Sequence, residues 1–256
     1  MKRFFQLLAW PMLLLLFAAC TSHYQLSDVS RTRILVDKLY DVNPDAAALD
    51  FLKPYKQKVH SLMGPVVGKV AHDMEAKRPE SDLSNLLPDI FMHMAQYYHE
   101  TPDFAIYNMG GIRAALSKGE VTYGDVLDVA PFENKICFVS LKGNKVMELF
   151  EQIAKRGGEG VSQGVHLEIT KDGKLVSARL YGKTIDPEAN YRVTTIDYLA
   201  QGNDGLTAFK NGTNLNSPKD DKNNARIVIR DYFQEMMLKG VVVDSKVEGR
   251  ILIVEN

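Results

Sequence analysis

Four short stretches of this 256-residue chain carry residue types suited to holding a small polar ligand. YNMGGIR (107–113) joins glycine amides, which a ligand can approach closely, to the Asn108 carboxamide and the Arg113 guanidinium. That guanidinium is a planar fork matched to phosphate or ribose oxygens. DVAPFENK (128–135) sets Phe132 directly after a proline, at a turn where the ring can be presented outward. SQGVHLEI (162–169) puts Gly164 at the start of a strand. TTIDYLAQGNDGL (194–206) places Tyr198 just past a strand, then Asp204 in a Gly/Asn turn. Two aromatics from separate loops can sandwich a base, each stack contributing roughly 1–3 kcal/mol. A carboxylate can accept both hydroxyls of a ribose. Each stretch also has a plain reading: the glycine loop as a tight connection, Phe132 as core, Asp204 as a turn former, Arg113 as a surface cation.

Hydrolytic chemistry is not legible in the same way. A dinuclear metal site needs carboxylate and imidazole ligands at short spacings. His23, His60, His72, His93, His99 and His166 are scattered, with no H-x-x-x-H pair and no D-x-H. His93 and His99 lie six apart on one expected helix and would not share a face. No G-x-S-x-G elbow, P-loop or CxxC is present. A net charge of −1 gives no electrostatic footprint for a nucleic-acid polymer, so any anion recognised here is small and locally bound.

The elements that must position these residues read as follows. MKRFFQLLAWPMLLLLFAAC has a basic start, an apolar run and small residues before Cys20. It reads as a signal segment (1–19) too short for a stable span, with Cys20 as a lipidated new N-terminus. Phe17 stands where leucine is usual. Thr21 after the cysteine leans towards the outer membrane, which gives an expected lipid-anchored, periplasm-facing protein. Residues 20–42 read as the lipidated cysteine and tether, and 43–256 as one domain. With Cys20 acylated, Cys137 in KICFVSL has no partner and reads as a buried strand thiol. A helix is expected over 43–62, kinked or split at Pro54, and another over 83–100 with its regular part starting near Pro88. Strands are expected at 65–71, 104–108, 135–141, 191–196 and 250–254, with a hairpin through VHLEIT-KDGK-LVSARLY. Helices are expected at 123–130, at 144–156 with an Asn144 cap, and at 225–240 closed by Gly240. KNGTNLNSPKDDKNN (210–224) reads as a polar surface loop. The sum is an α+β fold with a mixed sheet and packed helices.

ESDLSNLLPDI, NMGGIRAALSKGEVTYGDVLDVAPFENK, SQGVHLEI and YRVTTIDYLAQGNDGL together resemble the C-terminal, substrate-binding domain of the 5'-nucleotidase/UDP-sugar hydrolase family, over roughly residues 60 to 210. The resemblance implies that Asn108, Gly110, Gly111 and Arg113 contact a nucleotide, with Gly164 in a further family stretch. It implies that Phe132 and Tyr198 stack on the base and that Asp204 binds ribose. Met109 stands where the family has glycine, which would narrow the pocket or restrict the loop's φ. Asn203 replaces another glycine, a substitution eased by asparagine's access to positive φ. Lys77, with Arg78 beside it, occupies the place of a phosphate-contacting arginine and lacks its fork.

Relatives carry a metallophosphoesterase domain ahead of this one. Only about 40 residues separate Cys20 from the first family-like stretch, too few for such a domain. The leading expectation is a nucleotide-recognition subunit that binds a nucleoside phosphate and works with a separately encoded metallophosphoesterase. Divalent metals are expected only in that partner. The alternatives are a stand-alone nucleotide- or nucleoside-binding scavenging lipoprotein and a domain kept for protein–protein contact.

Overall fold

The computed structural model describes residues 25–35 and 37–255. The signal segment, the lipidation of Cys20 and His23 lie outside the described residues. The chain divides into two units, 1–51 and 52–256. In the first, Asp37 opens a 3-10 turn (Lys38–Asp41) by accepting the Leu39 amide at 2.9 Å. Asp45 accepts the amides of Ala47 and Ala48 at the start of α1 (Ala46–Met63). Of the two outcomes expected at Pro54, splitting does not occur: α1 runs through it unbroken. No residue of the helix is buried, so the carbonyl that proline leaves without a donor is open to water.

The second unit continues with β1 (Val66–Val70), α2 (Asp82–Met94), β2 (Phe104–Tyr107), β3 (Gly119–Thr122) and α3 (Tyr123–Val129). Next come β4 (Ile136–Lys142), α4 (Gly143–Lys155), β5 (Gly160–Val161), β6 (Val165–Thr170), β7 (Leu175–Leu180) and β8 (Lys183–Thr184). β9 (Asn190–Ile196), the single turn α5 (Asp197–Ala200), β10 (Thr213–Asn216), α6 (Ala225–Leu238) and β11 (Ile251–Val254) complete it. The strands form a β1-β3 pair, a five-stranded sheet ordered β10-β4-β9-β2-β5, and a four-stranded sheet ordered β11-β6-β7-β8. Both larger sheets are mixed, because β2–β9 and β11–β6 are parallel and their other pairings antiparallel. The α+β expectation holds.

Four local expectations change. α2 starts at Asp82 rather than near Pro88, because Ser81 and Ser84 form a capping box and nine of its residues are buried. The Ser84 carbonyl freed by Pro88 lies against Gly160, where an added Cβ would sit 2.7 Å from that oxygen. α4 is not capped by Asn144: the amides of Gly143 and Asn144 instead donate to the carbonyls of Ala189 and Pro187. Residues 210–224 are not wholly loop, since β10 adds to the edge of β4, and Asn223 and Asn224 are buried. His93 ends in α2 whereas His99 sits beyond a 3-10 turn at φ 55°, so the two share no helix. Cys137 is a buried free thiol, its pKa pushed up to about 12 by burial and then by Asp197.

α2 packs on β2 and β5, and α4 on β4, β6 and β7. Phe91, Phe104, Phe138, Phe150 and Phe233 fill the core between them. Topology then fixes where the loops go. β2 and β9 run parallel, so Asn108 and Asp197 leave the same end of the five-stranded sheet. β4 and β5 run antiparallel to them, with Ile136 opposite Ile196 and Gly160 opposite Tyr107, so the residues entering β4 and β5 lie at that same end. Loops from four places in the sequence converge there.

Candidate functional site

The first of these loops leaves β2 through Asn108 and makes a 3-10 turn over Met109–Gly111. Asn108 is 4% exposed, and its Nδ2 donates to Asp204 Oδ2 at 2.7 Å. Because the carboxylate only accepts, this bond fixes the amide's orientation and turns Asn108 Oδ1 inward. That oxygen is buried without a hydrogen-bond partner. Gly111 leaves it room: a Cβ there would lie 2.5 Å from Asn108 Oδ1.

The second loop follows α3 and presents Phe132, 48% exposed rather than core. The third follows β9. It carries Tyr198, 37% exposed, and then Asp204 at φ 54° between Gly202 and Gly205, both also at positive φ. Asp204 is therefore a turn residue, as its plain reading held, with its carboxylate facing a cleft. Its Oδ1 accepts from the Tyr198 hydroxyl at 3.0 Å, and that bond, with the carboxylate's charge, raises the phenol's pKa. Asn203 is not at positive φ. Its Nδ2 donates to the Tyr198 carbonyl at 2.8 Å, which braces the turn by a hydrogen bond rather than by an unusual backbone.

Asn108, Gly110, Phe132, Asn134, Tyr198 and Asp204 line one cleft of ≈ 200 Å³. Five of the eight sequence-predicted ligand contacts are thus brought together, and Gly111 stands directly behind them. Arg113 is not among the lining residues; it is exposed and its Nη1 donates to the Gly110 carbonyl at 3.4 Å. Gly164 is not there either. At φ 93° it lies under the Tyr181 ring, where an added Cβ would come within 2.4 Å of a ring carbon, so its glycine serves packing. Met109 does not narrow the cleft. It is 6% exposed and packs into the core, and the 3-10 turn suits a non-glycine residue.

Sequence reading missed the fourth loop, between α4 and β5. Glu159 is 1% exposed, and its carboxylate accepts from the Met109 amide, Arg78 Nη2 and Arg156 Nε. Arg78 Nε also donates to the Arg156 carbonyl at 2.8 Å, and Arg156 Nη2 lies 3.7 Å from Asp204 Oδ2. Burial alone would lower the Arg156 pKa, but Glu159, Asp204 and Tyr198 outweigh it and the net shift is upward. Lys77 turns away, its ammonium paired with Glu75 at the surface. The only local signal for this cluster was the lone acid in KRGGEG, and nothing in the sequence tied it to residues 78 or 109. Asn134 had a signal, two residues after Phe132 in the same motif.

The cleft therefore offers two exposed ring faces, two carboxamides and a carboxylate, with a guanidinium pair behind the carboxylate. Among the described residues no group of three or more His, Cys, Asp or Glu is arranged to hold a metal ion.

Residues 66–211 match the family model described as 5'-nucleotidase, C-terminal domain, and the chain belongs to that family. It is 30% identical over 168 residues to protein UshA of Yersinia enterocolitica, covering 64% of this chain and 30% of that protein. It is 30% identical over 174 residues to the 5'-nucleotidase of Vibrio parahaemolyticus, again covering 64% of this chain and 30% of that protein. The chain spans about 30% of the length of these curated relatives. Among solved structures, the 5'-nucleotidase precursor from Thermus thermophilus is similar with a TM-score of 0.70 and 27% identity, over 82% of this chain and 43% of that one. The NAD nucleotidase of Haemophilus influenzae shares the fold, with a TM-score of 0.59 and 20% identity, over 83% of this chain and 42% of that one.

Proposed function

We propose that this chain is a nucleotide-recognition protein that binds a nucleoside phosphate in the cleft at the end of the five-stranded sheet. The observation that carries the reading is the convergence of Phe132, Tyr198, Asn108 and Asp204 on one cleft from three separate loops. Two half-exposed rings provide stacking faces for a base, and Asp204 is an acceptor for ribose hydroxyls. Membership of the 5'-nucleotidase C-terminal family supports a role in nucleotide catabolism. Hydrolysis of the phosphate ester is assigned to a separately encoded metallophosphoesterase, which supplies the divalent metals and receives the nucleotide from this chain. The proposed setting is the cell envelope, with the chain tethered through lipidated Cys20 on the periplasmic side of the outer membrane.

Calorimetric titration of the protein with AMP and adenosine tests the binding claim. Binding that weakens at least about tenfold in each of Phe132→Ala and Tyr198→Ala is the expected result. Absence of binding at millimolar ligand refutes the reading. The partner claim has its own test: phosphate release from AMP with divalent metal should require added metallophosphoesterase, and turnover by this chain alone would contradict it.

A further inference from the structure

Asp204 is the one carboxylate among the residues lining the cleft, and the reading above assigns it the ribose. Much of its accepting capacity is already taken. A carboxylate offers about four acceptor directions, two on each oxygen. Asn108 Nδ2 takes one on Oδ2 at 2.7 Å, and Arg156 Nη2 lies 3.7 Å from the same oxygen. The Tyr198 hydroxyl takes one on Oδ1 at 3.0 Å. A ribose diol brings two further donors, more than this arrangement leaves room for.

One of the present donors has to yield, and the two differ in what release costs. Asn108 is 4% exposed, so its amide, once parted from Asp204, would be left buried and unpaired. Tyr198 is 37% exposed, and its hydroxyl can pass from Asp204 to water. Its backbone stays in place meanwhile, because its amide donates to Asp197 Oδ1 at 2.9 Å and its carbonyl accepts from Asn203 Nδ2 at 2.8 Å. Asp204 cannot evade the contest by turning, since Asn108 holds its Oδ2 and its backbone sits at φ 54° between two positive-φ glycines. Oδ1 is therefore the oxygen on which a sugar hydroxyl lands, and the Tyr198 phenol is the group standing on it.

We propose that the Tyr198 hydroxyl is a specificity-determining group that competes with the ligand's ribose hydroxyls for Asp204 Oδ1. This rests on the nucleotide reading above and sets the sugar selectivity of that site. A ligand with a 2',3'-diol displaces the phenol from the carboxylate, whereas one without the diol leaves that bond closed. The Tyr198 ring serves both kinds of ligand as a stacking face. The hydroxyl thus lowers the preference for ribose, and the ring does not.

The test compares adenosine with 2',3'-dideoxyadenosine by calorimetry on the wild-type protein, Tyr198→Phe and Tyr198→Ala. The readout is the ratio of adenosine to dideoxyadenosine affinity, because bound dideoxyadenosine itself reports an intact fold and cleft. Wild type is expected to favour adenosine. Tyr198→Phe keeps the ring and removes the competitor, and is expected to raise the ratio roughly threefold to tenfold, the range of one hydrogen bond. Should Tyr198→Phe not fold, Tyr198→Ala decides the matter: it weakens both ligands through loss of the ring but is expected to raise the ratio as well. A ratio that is unchanged or lower without the hydroxyl would overturn the competition, and the nucleotide reading would survive. A wild-type protein that binds both analogues equally removes the sugar role of Asp204 and this proposal with it. One that binds neither removes the nucleotide reading too.

Discussion

Two of the hollows in the second unit are each organised around one glutamate. The larger, a groove of ≈ 690 Å³, is lined by Tyr97, Tyr98, Asp231, Glu235 and Leu238 among others. The smaller is the ≈ 200 Å³ cleft beside Asp204. Glu235 accepts from His93 at 2.9 Å, Tyr97 at 3.0 Å and Lys239, while Asp231 pairs with Arg230. The charges of Glu235 and Asp231 are thus met by neighbours on the surfaces of α2, α6 and the turn after α2, and Asp220 is paired with Lys222. Glu159 is buried behind the cleft and draws its three donors from positions 78, 109 and 156, far apart in the chain. It fixes a ligand-facing loop and leaves guanidinium donors unspent. Volume favours the groove, but convergent and preorganised chemistry favours the cleft, and it is the latter that defines a binding site.

Three substitutions sharpen this contrast. Glu159→Gln removes the charge shared by two guanidiniums and a buried amide. It should cost about 3 kcal/mol in chemical denaturation, the low end for a broken buried pair because both arginines are partly exposed. Glu235→Gln should cost at most about 1 kcal/mol, as its partners can turn to water. Equal costs would break the comparison. Gly111→Ala puts a methyl group 2.5 Å from Asn108 Oδ1 and should destabilise the fold by about 1–2 kcal/mol while weakening ligand binding. A neutral effect on both would show that the loop is not held as described.

The smallest effect is in pH. Lys239, His93 and Tyr97 hold the Glu235 pKa down, from 4.5 to about 2. A group whose pKa is depressed on folding contributes stability that is present above its unfolded value and lost as pH falls through its folded value. The stability difference between wild type and Glu235→Gln should therefore be constant above pH 4.5 and fade as pH falls towards about 2. A difference that instead grows on acidification would contradict the assignment.

Much of the site was legible because its signals are local. PFEN, DYLAQGNDG and NMGGIR each carry a turn and its functional side chain within a few residues, and apolar runs marked the strands that present them. What sequence could not show depends on distant partners. Pro88 reads as a helix boundary until the capping serines and the burial of α2 are seen to outweigh it. Asn144 reads as a cap until the 187–189 backbone takes its place. Gly164 looks like a ligand-facing glycine until Tyr181 is seen to cover it. Met109, as a replacement for glycine, pointed to a changed pocket, yet its side chain belongs to the core. Glu159 is the clearest case: its charge and the neighbouring Arg156 are visible in the sequence, but its other two donors, Arg78 and the Met109 amide, come from elements that only the fold brings together.

The most direct test of the central claim is a backbone-amide NMR titration of the protein with AMP. The account predicts that shifts concentrate at 108–112, 132–135, 156–160 and 198–205, with the amides around Tyr97, Glu235 and Leu238 left unmoved. Shifts confined to the larger groove, or none at millimolar AMP, would contradict it.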